Sequence, residues 1–157
     1  MKCPTCRVID LVEKKIDYPY KESGLEYVVL VGVTVQECPQ CGERMVLIPR
    51  IEELHRLVAE RIVSKKARLT GDEIQFLRKQ LGWTVEFFSD LMGASSSMLS
   101  SWENGAAADG SFDRLIRSIY VVAARLDFHL DVLSRISTVV VPVELRLSAG
   151  RNWADAV

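Results

Sequence analysis

At 157 residues, with 48% hydrophobic and 26% charged residues, the chain has the composition of one ordinary soluble domain or two small ones. A net charge of −1 excludes the broadly basic surface that nucleic-acid binders usually advertise, so any basic surface must be local. No apolar run reaches the ~18 residues that span a bilayer, and the N-terminus opens on Cys3 without an export signal, which predicts a cytoplasmic chain with no membrane partner and with reduced thiols.

Residues 1–48 read as a small β-rich metal module. The only four cysteines form two Cys-Pro-x-Cys pairs, Cys3-Pro4-Thr5-Cys6 and Cys38-Pro39-Gln40-Cys41. Two residues between cysteines let both sulfurs of a tight turn point at one ion, and two such turns supply the four thiolates of a tetrahedral site. One structural Zn2+ is the expected occupant. Iron in a rubredoxin-like site is the rival, because Cys38-Pro39-Gln40-Cys41-Gly42 also suits it; metal-free thiols or disulfides are the third option. Four thiolates leave no open coordination position, so catalysis at the metal is not expected. Between the pairs, Tyr27–Val35 is apolar and β-branched, hence a strand, with another predicted around Asp17–Tyr20 and a short return strand at Met45–Ile48. So little core implies that metal binding supplies much of the module's folding energy.

Residues 49–68 read as a linking helix and basic linker. Pro49 suits a first helical turn, and Ile51, Leu54, Val58 and Ile62 recur at helical spacing, with Leu57 beside them. Residues 69–135 read as an all-α bundle. Thr70-Gly71-Asp72-Glu73 has the form of a capping box, and Ile74, Leu77 and Leu81 follow as an apolar stripe. Thr84 caps a second helix, Gly93-Ala94 makes a sharp turn, and Ser95 caps a third helix over Ser96–Glu103. A long helix is predicted from Phe112 to about Ser134. Residues 136–157 read as a strand over Thr138–Leu147, demoted to an edge by Pro142, and a frayed tail. An unpartnered strand there invites pairing with a second copy. The whole is predicted to be α+β: an N-terminal zinc-binding module, then a helix-turn-helix bundle with a C-terminal strand.

His55 and His129 lie in predicted helices and read as surface or boundary residues rather than ligands. No nucleophile–base arrangement, phosphate loop or open metal site is visible, so an enzyme is not expected.

Leu81-Gly82-Trp83-Thr84, Leu91-Met92-Gly93-Ala94-Ser95 and Trp102-Glu103-Asn104-Gly105 resemble the Xre/Cro/cI-type repressor domain over about residues 69–122. That resemblance implies a structural ion pair between Arg78 and Glu103. Taken with the two cysteine pairs and the linking helix, the chain resembles the YgiT/MqsA-type antitoxins over roughly residues 1–130. The likeness implies a structural zinc held by Cys3, Cys6, Cys38 and Cys41. It also implies a toxin partner, commonly an mRNA-cleaving ribonuclease, on the N-terminal domain. The C-terminal domain would form a homodimer that binds double-stranded DNA at a palindromic operator and represses its own operon. On this chain the reading positions fall on Ser96, Ser97 and Ser101, with Ser100 beside them; Thr84, Lys65, Lys66 and Arg68 are also assigned to DNA contact, and Arg114 and Arg117 flank the reader.

Two departures matter. Serine makes no bidentate base contact, and residues 80–113 contain no Lys or Arg. The alternative is therefore a zinc-domain protein-interaction module whose helix-turn-helix serves dimerisation or partner binding.

Overall fold

The β-branched run becomes the longest strand of the protein. The computed structural model describes residues 1–157, and in it Val28–Glu37 (β2) pairs antiparallel with Val12–Pro19 (β1) along one side. The other side of β2 is shared. Its C-terminal half carries Arg44–Leu47 (β3), antiparallel, and its N-terminal half carries Leu145–Ala149 (β4), parallel. Trp153–Asp155 (β5) ends the sheet as the antiparallel partner of β4.

Side chains alternate faces along a strand, so burying Val28 and Leu30 should turn Val33 and Val35 outward. All four are buried. A bulge explains it: Ile16 pairs with Val33 and Tyr18 with Leu30, so two residues of β2 lie opposite one of β1. Gly32, in that bulge, has φ +66°, and its N–H donates to Asp17 Oδ1 at 3.2 Å.

Five helices follow β3: α1 (Ile51–Ser64), α2 (Gly71–Gln80), α3 (Val85–Met92), α4 (Ser96–Glu103) and α5 (Gly110–Ala124). Arg50, at φ 46°, turns the chain into α1, which begins at Ile51, two residues beyond the predicted Pro49 start. Leu54, Val58, Ala59, Ile62 and Val63 of α1 are buried, whereas Ile51 is exposed. The capping box at Thr70 is complete: its side chain accepts from the Glu73 N–H and the Glu73 carboxylate accepts from the Thr70 N–H. Asp109 caps α5 by accepting from Ser111 and Phe112, and Arg125 at φ 54° ends it ten residues before the predicted stop; Leu130–Arg135 is a separate 3₁₀ turn. No helix is long and apolar enough to cross a membrane.

Twenty-five buried apolar residues form one cluster that runs from the sheet (Val28, Leu30, Leu147) through α1 into the bundle (Leu77, Phe88, Ile116). The segments delimited at residues 48 and 68 are therefore not sealed from each other, because α1 is packed from both sides. The C-terminal segment also departs from expectation. Pro142 has no N–H to give a ladder, so the strand begins only at Leu145, and it pairs within its own chain on β2. The expected fraying tail contains β5 and the buried Trp153.

His55 sits where sheet, α1 and α2 meet. Its Nε2 lies 2.9 Å from the Tyr20 hydroxyl, its ring stacks on Tyr20, and the Phe76 ring meets it edge-on. Burial holds the imidazole below its ordinary pKa of 6.5. The unfolded chain then takes up the proton first, so stability is fully present above about pH 6.5 and falls as pH drops from there through the lowered native value. The melting temperature should fall more steeply between pH 7 and 5 in the wild type than in His55→Phe, a comparison in which thiolate protonation cancels. Parallel curves would remove this role.

Candidate metal centre and nucleic-acid interface

The two cysteine turns repeat one backbone device. The Cys3 carbonyl accepts from the Arg7 N–H at 3.0 Å, and the Cys38 carbonyl accepts from the Gly42 N–H at 3.0 Å. Arg7 (φ 58°) and Gly42 (φ 75°), each directly after the second cysteine of a pair, both occupy the left-handed region. The Cys3 N–H donates to the Ile9 carbonyl and the Cys38 N–H to that of Glu43, so each loop closes on itself. Thr5 donates to Glu43 across the gap between the loops at 3.1 Å.

This geometry brings all four sulfurs together. Cys3 Sγ lies 3.6 Å from Cys41 Sγ and Cys6 Sγ lies 3.6 Å from Cys38 Sγ, with all four within 4.8 Å of one another. A tetrahedral ion with metal–sulfur bonds of ~2.3 Å needs sulfur–sulfur edges of about 3.8 Å, so the four residues fit a single ion. The cysteines are free of disulfides; Cys3 and Cys38 are buried and Cys41 is exposed. The backbone N–H of Cys6 brings the Cys3 thiol down to about 6, and the N–H of Cys41 lowers Cys38 likewise. Cys41 accepts a lowering N–H from Glu43, but desolvation and the three neighbouring sulfurs push it up to about 12. Crowded thiols resist losing the last proton; a divalent cation among them removes that resistance.

The helix-turn-helix is built from α2, α3 and α4. Thr84 and Ser95 cap α3 and α4 by accepting from Phe87 and Met98, and Gly93 at φ 69° makes the turn between them. Arg78 holds the frame. Its Nε and Nη2 donate to the two Glu103 oxygens at 2.6 and 3.0 Å, and its Nη1 donates to the Trp83 carbonyl at 2.9 Å. One side chain thus ties α2 to the end of α4 and to the turn before α3. Ser96, Ser97 and Ser101 lie exposed on α4; Ser100 is half-buried, and its carbonyl accepts from the Asn104 side chain.

The family described as the antitoxin component of the bacterial toxin-antitoxin system, MqsA, matches residues 1–136. The chain belongs to the MqsA antitoxin family. No curated protein and no solved structure matched it. Membership resolves what cysteine spacing left open: the cluster of Cys3, Cys6, Cys38 and Cys41 is the site of one structural zinc. The ion closes both loops on each other and supplies no open position for chemistry.

In this MqsA-family chain, Lys65, one of the basic groups assigned to DNA, and the two flanking arginines are engaged within the protein. The Lys65 ammonium pairs with Glu73 and donates to the Val141 carbonyl at 2.6 Å. Burial pulls Lys65 down from its ordinary pKa and pushes Glu73 up, and their attraction offsets only part of that. Arg117 is wholly buried. It donates to Asp113 at 2.8 Å and to the carbonyls of Val63, Lys65 and Ala67, while Asp113 accepts from the Leu69 N–H at 2.7 Å. Arg114 donates to the carbonyls of Leu133 and Gly110. Lys65 and Arg117 therefore have no free charge to offer a phosphate. Lys66 is exposed and Arg68 half-buried. The buried Asp113–Arg117 pair did carry a sequence signal: opposite charges four apart on a helix whose neighbours are apolar.

Proposed function

We propose that the zinc module holds a cognate toxin, of the mRNA-cleaving ribonuclease class implied by the resemblance, while the helix-turn-helix bundle binds a palindromic operator as a homodimer and represses the operon of a type II toxin–antitoxin pair. The reading is that of a cytoplasmic regulator, not an enzyme. Four unbridged thiols accord with a reducing compartment. The observation that carries the DNA-binding part is the serine face of α4, with Ser96, Ser97 and Ser101 exposed behind a glycine turn in a frame held by Arg78 and Glu103. Small polar side chains let the helix approach base edges closely, and each hydroxyl can donate or accept there. Thr84 and Lys66, both exposed, and the half-buried Arg68 are the remaining candidates for phosphates. An open apolar groove of about 350 Å³ between Trp83, Leu91, Ile119 and Val122 offers a face through which two copies would pair.

The test is a mobility shift with the DNA upstream of the chain's own gene. Retardation should weaken steeply with salt. Ser97→Ala with Ser101→Ala should lower specific affinity by about 1–3 kcal/mol, roughly 5- to 150-fold, with the melting temperature unchanged. An unchanged footprint from that double variant would reject α4 as the reader.

A second reading rests on the absence of Lys and Arg from residues 80–113 together with the same apolar groove. In it, the bundle serves self-association or partner binding and touches no DNA. A chain that retards no DNA at low salt yet co-purifies with the product of a neighbouring gene would favour it.

A further inference from the structure

The residues beyond the matched family span, 137–157, return from the bundle to the zinc module and touch every element between the two. In order, the Ser137 N–H donates to the Lys66 carbonyl and the Val139 carbonyl accepts from the Arg68 N–H, both at 2.8 Å. The Val141 carbonyl accepts from Lys65, and Leu145 opens the four-residue parallel ladder on Val28–Val31. Gly150 accepts from Arg50 at 3.1 Å. Trp153 then docks at the start of α1: its indole N–H donates to the Pro49 carbonyl at 2.8 Å and its backbone N–H to Glu53 at 2.7 Å. Asp155 ends the path on Arg61 at 2.7 Å.

Leu147 is fully buried, and Leu145 and Trp153 are nearly so, all in the cluster shared with α1 and β2. The exposed ion pair at the end adds little, whereas burying a Leu and a Trp on this path contributes several times as much. Beneath the path, Arg117 grips the carbonyls of Val63, Lys65 and Ala67 from inside. Two pieces joined by one linker can swing about it. Here they are joined through residues 65–69, through the apolar cluster that α1 shares with both, and again through the returning strand, so a swing must strip β4 from β2 as well as part that cluster.

We propose that residues 137–157 form a strap that makes the zinc module and the helix-turn-helix bundle move as one rigid body. Whatever is seated on the module then keeps a fixed orientation relative to whatever is seated on the bundle. The same strap occupies the edge of β2 at Val28–Val31, so a partner strand cannot pair there while it is in place. The proposal is independent of the operator-binding reading and fails separately, since its readouts contain no DNA.

The test uses the full-length zinc-loaded protein. In the wild type, amides of the module and of the bundle should report one rotational correlation time. Amides of the strap (145–148) and the linker amide of Arg68, which donates to the Val139 carbonyl, should exchange with solvent hydrogen through a common opening, with matching denaturant dependence. Trp153→Ala should release the strap, separate the two correlation times and make trypsin cleave after Lys66 and Arg68 at least roughly tenfold faster, with zinc content unchanged. Trp153→Phe should restore protection. A strap that opens in the wild type while the linker stays protected would overturn the proposal, as would wild-type halves that already tumble separately; neither result depends on how a variant folds.

Discussion

Replacing Arg117 with methionine is expected to lower the unfolding free energy by about 3–5 kcal/mol, the range for removing one partner of a buried ion pair. The loss has two sources. Asp113 keeps the Leu69 N–H but loses its guanidinium, leaving a carboxylate almost fully buried without a countercharge. The carbonyls of Val63, Lys65 and Ala67 lose their donor at the turn where α1 ends. Removing the carboxylate as well, in Asp113→Leu with Arg117→Met, should recover part of the loss, because the uncompensated charge is gone while the orphaned carbonyls remain. Urea titrations of the four proteins of this cycle measure both quantities. A single variant that lost less than about 1 kcal/mol would place the pair among weak surface bridges and contradict its burial.

Removing the metal is the second large effect. Chelation of the zinc, or Cys38→Ser, should abolish one-to-one zinc content and lower the melting temperature by ~10 °C or more. Cys38 is the better choice than Cys41, since Cys38 is buried and Cys41 exposed. The backbone bonds of the two loops stay within each loop and a Thr5–Glu43 contact crosses between them, so without the ion four thiols face each other at close range. The disturbance should not stop at the module. Val33 and Val35 lie on the strand that leads into Cys38, and Val33 belongs to the same cluster as α1 and the bundle. Loss of metal should therefore broaden or lower the single unfolding transition of the chain rather than melt a detached front piece. A protein that bound no zinc and melted unchanged in chelator would sink this account of the module.

Local chemistry was legible wherever a residue type has a single dominant backbone use. Thr70, Thr84, Ser95 and Gly93 marked helix starts and a turn, and the structure has the elements there, because a cap or a left-handed turn is decided within four residues. The paired cysteines marked their ion for the same reason. Helix ends without such a signal were less legible. The stop of α5 at Ala124 rests on Arg125 entering the left-handed region, which an Arg does not announce.

Charge was the least legible property. Lys65, Arg114 and Arg117 read as solvated groups beside a DNA reader, since a sequence displays a charge but not what surrounds it. In the fold, Lys65 and Arg117 hold together the linker, the strap and α5, and Arg114 ties α5 to the 3₁₀ turn at Leu133. The exposed serines of α4 show the converse: their place on the helix followed from its cap and period, and the fold left the face open.

What the sequence determined by itself was the α+β order of elements, the four-sulfur metal site and the capped helix-turn-helix. Each depends on spacing within a turn or a knuckle, or on a period of two or 3.6 residues. What only the tertiary structure decided was where residues 137–157 go, that the module and bundle share one core, and which cations are consumed inside it. Those outcomes depend on pairings such as Leu147 with Leu30 and Arg61 with Asp155. Residues that far apart meet only when the whole chain has closed upon itself, and no local preference encodes the meeting.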